Sequence, residues 1–225
     1  TPFLLKVNYD AQSDFAPITQ IAASPLVLLI HGSVSAANVP ELITLAKAKP
    51  KLLNAGIATS GSAGHLAVEV FKLRTGTTGA ITSVIYKGGG QTQVALMSNE
   101  VQMVFASAIS AMAYTKSSGK VRALATSAKK RLSAFPDLST FAELGIAVDT
   151  NPWQGVLGPA KVARPIVMRL YRDIAATLRQ PEVVERLAAA GADPVGSTPE
   201  EFAAKIKSEL HEFGSIIRGL GLKGG

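Results

Sequence analysis

The sequence predicts an α/β fold, on three observations. Between Leu53 and Thr126, short apolar runs alternate with stretches whose apolar residues recur at helical spacing. Of the 225 residues, 47% are hydrophobic and 17% charged, which supplies one or two packed cores and excludes a disordered chain. After Pro136 the texture turns helical, so the chain divides into two regions that meet near residues 151–159.

The elements follow in order. Residues 1–20 are mixed and turn-rich, with Tyr9-Asp10 and Asp14-Phe15 flanking a polar break. Residues 21–31 are β-branched or leucine-rich and read as one buried strand. Asn38-Val39-Pro40-Glu41 starts a helix; Leu42, Ile43 and Ala46 face one way until Pro50 stops it. Strands are expected at residues 53–58, 81–86, 101–105 and 121–126. Helices between them are expected at 65–73, 91–97 and 108–116, which predicts a largely parallel sheet.

The tail is expected to hold a short helix at 139–144, an extended stretch at 148–157 and helices at 165–179 and 181–190, the last ended by Gly191. Thr198-Pro199-Glu200-Glu201 is a capping box that opens a helix with Phe202, Ile206, Leu210, Phe213 and Ile217 on one face.

Composition excludes several function classes. With no cysteine, disulfides, thiolate catalysis and Cys-based zinc sites are impossible. The longest apolar run, residues 26–30, is far short of the roughly 20 residues that a spanning helix needs. The net charge of +7 suits a small anion or an acidic surface. Against nucleic acid, the basic residues are scattered, the densest cluster is Lys129-Lys130-Arg131, and the four Tyr and one Trp do not interleave with basic residues as a base-stacking groove would. Thr1-Pro2 carries neither an initiator Met nor a signal-peptide pattern, so the chain reads as a processed or truncated product.

Three loops following strands are candidate binding elements, because ligands of open α/β sheets collect beyond the carboxyl ends of strands. The first is Gly56-Ile57-Ala58-Thr59-Ser60-Gly61-Ser62-Ala63-Gly64-His65. Unpaired amides at a helix start suit a carboxylate or phosphate, and the hydroxyls of Thr59, Ser60 and Ser62 add donors. The same residues also fit a tight turn with Ser capping the next helix. Gly56 and Gly61 have P-loop spacing, but Ser62-Ala63 stands where the motif requires Lys-Ser or Lys-Thr. A nucleophile elbow on Ser62 would need glycine at position 60.

The second loop, Tyr86-Lys87-Gly88-Gly89-Gly90, offers Lys87 as a point charge or is a turn with a solvated lysine. The third is Ala106-Ser107. His65 is either a donor beside the first loop or a helix-start residue, His31 ends a strand, and His211 reads as a surface residue. No pattern marks a metal site, and no cofactor is expected. Trp153 reads as packing.

Taken together, these segments resemble the solute-binding proteins of tripartite tricarboxylate transporters, the Bug family, from Tyr9-Asp10 to the C-terminus. The resemblance is carried by Asp14-Phe15-Ala16-Pro17-Ile18, Leu53-Asn54, Gly61-Ser62-Ala63-Gly64-His65-Leu66 and Tyr86-Lys87-Gly88-Gly89-Gly90. It continues through Arg122-Ala123-Leu124-Ala125-Thr126-Ser127, Lys130-Arg131 before Pro136-Asp137, and Phe141-Ala142-Glu143-Leu144-Gly145. Trp153-Gln154-Gly155, Gly158-Pro159-Ala160, Gly191-Ala192-Asp193-Pro194 and Thr198-Pro199-Glu200-Glu201-Phe202 complete it.

The resemblance implies a two-lobed periplasmic-binding-protein-like fold of class II type with an incomplete first lobe, since the family's first roughly 60 to 80 residues, about half a typical domain, are missing. The second lobe is expected at residues 33–151, and the first lobe at 1–32 and 152–225. The implied function is non-enzymatic: periplasmic capture of a small carboxylate by hinge closure and its delivery to membrane transporter subunits. Implied ligand-binding residues are Thr59, Ser60, Gly61, Ser62, His65, Ala106 and Ser107, with Tyr86, Lys87 and Gly88 alongside. Thr59 stands where many members have Gly. Ala106 stands where many carry Asp or another polar residue, and the lack of an Asp there argues against an amino-acid ligand. The rival readings are a hydrolase using Ser60 or Ser62 with His65, and a ligand-responsive regulatory module.

Overall fold

The structure, a computed structural model, describes residues 7–132 and 134–219. Its first two strands, β1 (Phe15–Ala23) and β2 (Leu26–His31), divide the residues that the sequence reads as a single strand and its polar prelude. The break falls at Ser24-Pro25. Pro25 has no N–H to continue a ladder, while the Ser24 N–H turns to Pro152 O at 2.7 Å. With apolar residues on both sides, hydropathy alone gives no sign of the break.

The chain continues through α1 (Val39–Ala48), β3 (Leu53–Ile57), α2 (Ala63–Thr75) and β4 (Ile81–Ile85). Next come α3 (Gly89–Met97), β5 (Met103–Ser107), α4 (Ala108–Ser118) and β6 (Val121–Thr126). The tail holds β7 (Trp153–Pro159), α5 (Arg164–Thr177), α6 (Pro181–Ala189), β8 (Asp193–Pro194) and α7 (Pro199–Gly219).

Two compact units result, one running Pro25–Asn151 and the other formed by the chain on either side of it. The sequence reading began the larger unit at Ser33. The division lies earlier because β2 is hydrogen-bonded to β5 and β6.

The larger unit is built on a five-stranded sheet of order β4-β3-β5-β2-β6. β3 is parallel to β4 and β5, whereas β2 is antiparallel to both its neighbours. The sheet is therefore mixed rather than largely parallel. Val27, Leu28, Leu29 and Ile30 are fully buried, and a strand covered on both faces is a continuous apolar run whichever way it points. Phe71, Phe105 and Phe141 form a ring cluster with centroids 5.8–6.1 Å apart. Val27, Leu29, Leu96, Val101, Val104 and Ala111 make a separate core cluster.

The helix expected at 139–144 is instead a turn tied to the end of β6. Thr126 N–H donates to Ser139 O at 3.0 Å and Phe141 N–H to Thr126 O at 2.9 Å. Thr140 and Glu143 cap one another's amides, and Gly145, at φ +70°, ends the segment.

The smaller unit holds the sheet β7-β1-β8, all antiparallel. The Thr198 capping box forms as expected: Glu201 Oε2 accepts the Thr198 N–H at 2.8 Å, and Thr198 Oγ1 accepts the Glu201 N–H at 3.2 Å. Gly191 ends α6 in the left-handed region at φ +63°. Trp153 is a packing residue. Its ring meets the fully buried Phe202 edge-on at 5.0 Å, and its Nε1–H donates to Glu209 at 2.7 Å. Among the described residues, no helix is long and apolar enough to cross a membrane.

Candidate functional site

β3, β4 and β5 run in one direction and lie side by side, so their carboxyl ends share one edge of the sheet. α2, α3 and α4 all begin at that edge. Each brings unpaired N–H groups and the positive end of a helix dipole. β6 ends there too, because Val27 pairs with both Ala106 and Thr126.

At the start of α2 the chain turns through Ser62 N–H to Thr59 O at 3.2 Å and Gly61 at φ +73°. Ser62 is the N-cap, its Oγ accepting the His65 N–H at 3.2 Å. In return, the Gly61 N–H donates to His65 Nδ1 at 2.9 Å. Gly64 lets this turn approach β5: a Cβ there would lie 3.2 Å from Phe105 O. The structure thus sets the turn of Thr59, Ser60, Gly61 and Ser62 at the same sheet edge as the end of β5, which carries Ala106 and Ser107. Ser107 in turn caps α4, accepting the Ser110 N–H at 3.3 Å.

The Tyr86–Gly88 loop follows β4, on the other side of β3. Tyr86 N–H donates to Ile57 O at 2.8 Å and carries the ladder one residue past the strand. Its ring packs on the second core cluster, and its hydroxyl donates to Glu100 at 2.7 Å. Burial of the ring, then the Glu100 carboxylate, pushes the Tyr86 phenol up to about 12. The Lys87 N–H donates to Gln91 at 3.0 Å while its side chain is exposed. Gly88, at φ +143°, heads α3 with no side-chain cap.

His65 differs from the other candidate residues, because its side chain is only 2% exposed. Desolvation holds its imidazole below the ordinary range; Glu69 opposes this and Lys72 reinforces it. One and two turns along α2 sits a buried ion pair, Lys72 Nζ to Glu69 Oε2 at 2.9 Å, with Ser83 Oγ donating to Glu69 at 2.5 Å. The cap does not support the hydrolase alternative at Ser62. Ser62 Oγ serves the His65 amide and His65 Nδ1 serves the Gly61 amide, so neither group is arranged as nucleophile and base.

The sequence reading missed Ser127 and Asn151 at the same edge. Buried Ser127 Oγ accepts the Leu26 N–H at 2.8 Å and bonds the Asn151 side chain, whose amide donates to Ser127 O at 2.9 Å. The signal available was Ser127 following β6 as Ser107 ends β5. Among the described residues, no group of three or more His, Asp or Glu side chains could hold a metal ion.

The profile of the tripartite tricarboxylate transporter family receptors matches residues 1–222. The chain belongs to this receptor family. Its relative BugT of Bordetella pertussis is 32% identical over 218 residues, 96% of this chain and 66% of BugT. The chain therefore spans just under two thirds of that relative's length. A solved R. palustris protein with adipate is 29% identical at a TM-score of 0.75, covering 99% of this chain and 74% of that one. The periplasmic binding protein BugD is 25% identical at a TM-score of 0.74, covering 100% and 75%. The receptor-family resemblance read from the sequence is thereby confirmed. So is the periplasmic-binding-protein-like α/β fold, and its relatives are receptors, not enzymes.

Proposed function

We propose that this chain is part of an extracytoplasmic, periplasmic solute-binding protein that captures a small di- or tricarboxylate and delivers it to membrane transporter subunits of the tripartite tricarboxylate type. The Pro25–Asn151 unit forms one lobe and the remaining residues contribute to the other. The observation that carries the reading is the gathering of three helix starts at one sheet edge, in a receptor family with a relative solved with adipate.

In this reading the ligand carboxylate is held by the hydroxyls of Thr59, Ser60 and Ser62 and by amides at the start of α2, on a turn shaped by the Gly61 and Ser62 N–H bonds to His65 Nδ1 and Thr59 O, with Ala106 and Ser107 forming the adjacent wall. Charge-assisted N–H···O⁻ bonds are about twice as strong as neutral ones, and helix ends favour the anion. Lys87 and Gly88 at α3 add a further positive locus. The +7 balance provides a weak steering field, screened beyond about 8 Å at physiological salt.

Calorimetry with adipate, succinate, citrate and an aromatic carboxylate tests the reading. At least one should bind, and Ser62→Trp should weaken that binding at least tenfold while circular dichroism stays unchanged. Binding of undiminished strength in Ser62→Trp would place the ligand elsewhere.

A further inference from the structure

We propose that His65 is a positioning residue: its unprotonated Nδ1 holds the Thr59–Ser62 loop in the form that receives the carboxylate, so acid releases the grip. The inference rests on the carboxylate reading for its ligand, and on the α2 cap for its mechanism.

The bond from Gly61 N–H to His65 Nδ1, 2.9 Å long, requires a lone pair on that nitrogen. The neutral ring therefore carries its proton on Nε2. With the Ser62 Oγ bond to the His65 amide, the ring completes a reciprocal pair resembling a capping box displaced by one residue. Gly61 stands at φ +73°, and the ring fixes which way its amide points. A proton on Nδ1 sets donor against donor. The bond is then lost, and the loop between Thr59 and Ser62 loses its side-chain tether.

The charges facing the ring are accounted for. On α2 itself they are Glu69 and Lys72, which bond one another and act on the ring in opposite senses. β3 and β5, on which α2 packs, carry no titratable residue, and the loop at 58–62 carries none. β4 contributes Ser83, bonded to Glu69. The turn carrying Phe141 holds Glu143, which is engaged by Arg131 and the Thr140 N–H. Lys47 of α1 approaches the far end of α2, near Gly76. Burial thus keeps the ring neutral at neutral pH, and protonation requires acidity below its ordinary value of about 6.5.

The test uses the whole chain with adipate as probe, supported by NMR without ligand. Below the His65 titration, affinity should fall by up to about tenfold per pH unit beyond the loss that protonation of adipate itself brings, as for one linked proton. His65→Asn places an acceptor near Nδ1 that does not protonate; it should bind adipate at pH 7.5 and keep only the pH response of adipate's own carboxyls. His65→Gln sets its acceptor one bond further out and should bind weakly at every pH. In the ligand-free wild type, the Gly61 amide resonance should titrate together with the His65 ring. A Gly61 resonance that ignores the ring's titration overturns the inference whether or not adipate binds, and so does an unchanged pH profile in His65→Asn. If Gly61 follows the ring but adipate binds at no pH, the tether is supported and the carboxylate reading is what fails.

Discussion

Gly155 on β7 lies directly under the ring of Phe202 on α7, so close that a Cβ on Gly155 would fall 2.3 Å from Phe202 Cζ. The ring is fully buried and is held on another side by the edge-on contact with Trp153. A single hydrogen at position 155 is what allows helix and sheet to meet here.

Gly155→Ala is therefore expected to destabilise the protein by about 1–3 kcal/mol, the usual cost of overpacking a filled core. Denaturant unfolding followed by Trp153 fluorescence measures it. A variant as stable as the parent would mean that the ring has room to shift.

The Glu69–Lys72 pair makes a second case. Removing one member strands a buried charge, so Lys72→Met should cost about 3–5 kcal/mol. The double variant Glu69→Leu/Lys72→Met should recover most of that loss, since the desolvation of both charges is removed together. A double-mutant cycle in urea reads the coupling, and strictly additive losses would show that the pair is uncoupled.

Tyr86 gives an alkaline signature. Its folded-state value lies above that of the unfolded chain, so its contribution to stability is complete below about pH 10. That contribution is lost as pH rises towards about 12. Glu100→Gln should lower the Tyr86 value only in part, because burial is the larger cause and remains. Phenolate absorbance, with Tyr86→Phe as the reference, isolates this residue. A full return to the ordinary value in Glu100→Gln would assign the shift to the carboxylate alone.

Lys87 separates a charge that serves the ligand from a solvated turn residue. If it serves the ligand, Lys87→Ala should weaken dicarboxylate binding by less than about tenfold and flatten its dependence on salt, as expected for an exposed charge. Calorimetry at two ionic strengths decides. Identical affinities and salt dependence in variant and parent would leave Lys87 as a turn residue only.

The candidate edge was readable in the sequence where local chemistry dictates structure. Ser62 follows β3, Ser107 ends β5, and each caps the next helix, because a short hydroxyl side chain competes well for the first free amides. The role of His65 was not readable. Whether a histidine at the third helical position faces a ligand or folds back onto Gly61 depends on its rotamer and on burial beneath the turn. The direction of β2 was hidden for another reason: a fully buried strand shows no alternation and no polarity. The link between Ser127 and Asn151 joins residues far apart in the chain, so no local pattern announces it. The break at Ser24-Pro25 leaves only one local mark, a proline within an apolar run.

The bonds around Ser24, Leu26, Ser127 and Asn151 also bear on how the polypeptide could be re-engineered. Ser24 and Pro152 are joined by a main-chain bond, and Ser127 links Leu26 to Asn151. Topologically, the stretch from Pro25 to Asn151 is an insert whose entry and exit are neighbours. Such an insert can be cut out and its host resealed across one short junction, or its own termini fused and new ends opened in a surface turn. A gene encoding this chain is thus open to cassette exchange at a single pair of codons, with the strands on either side left whole.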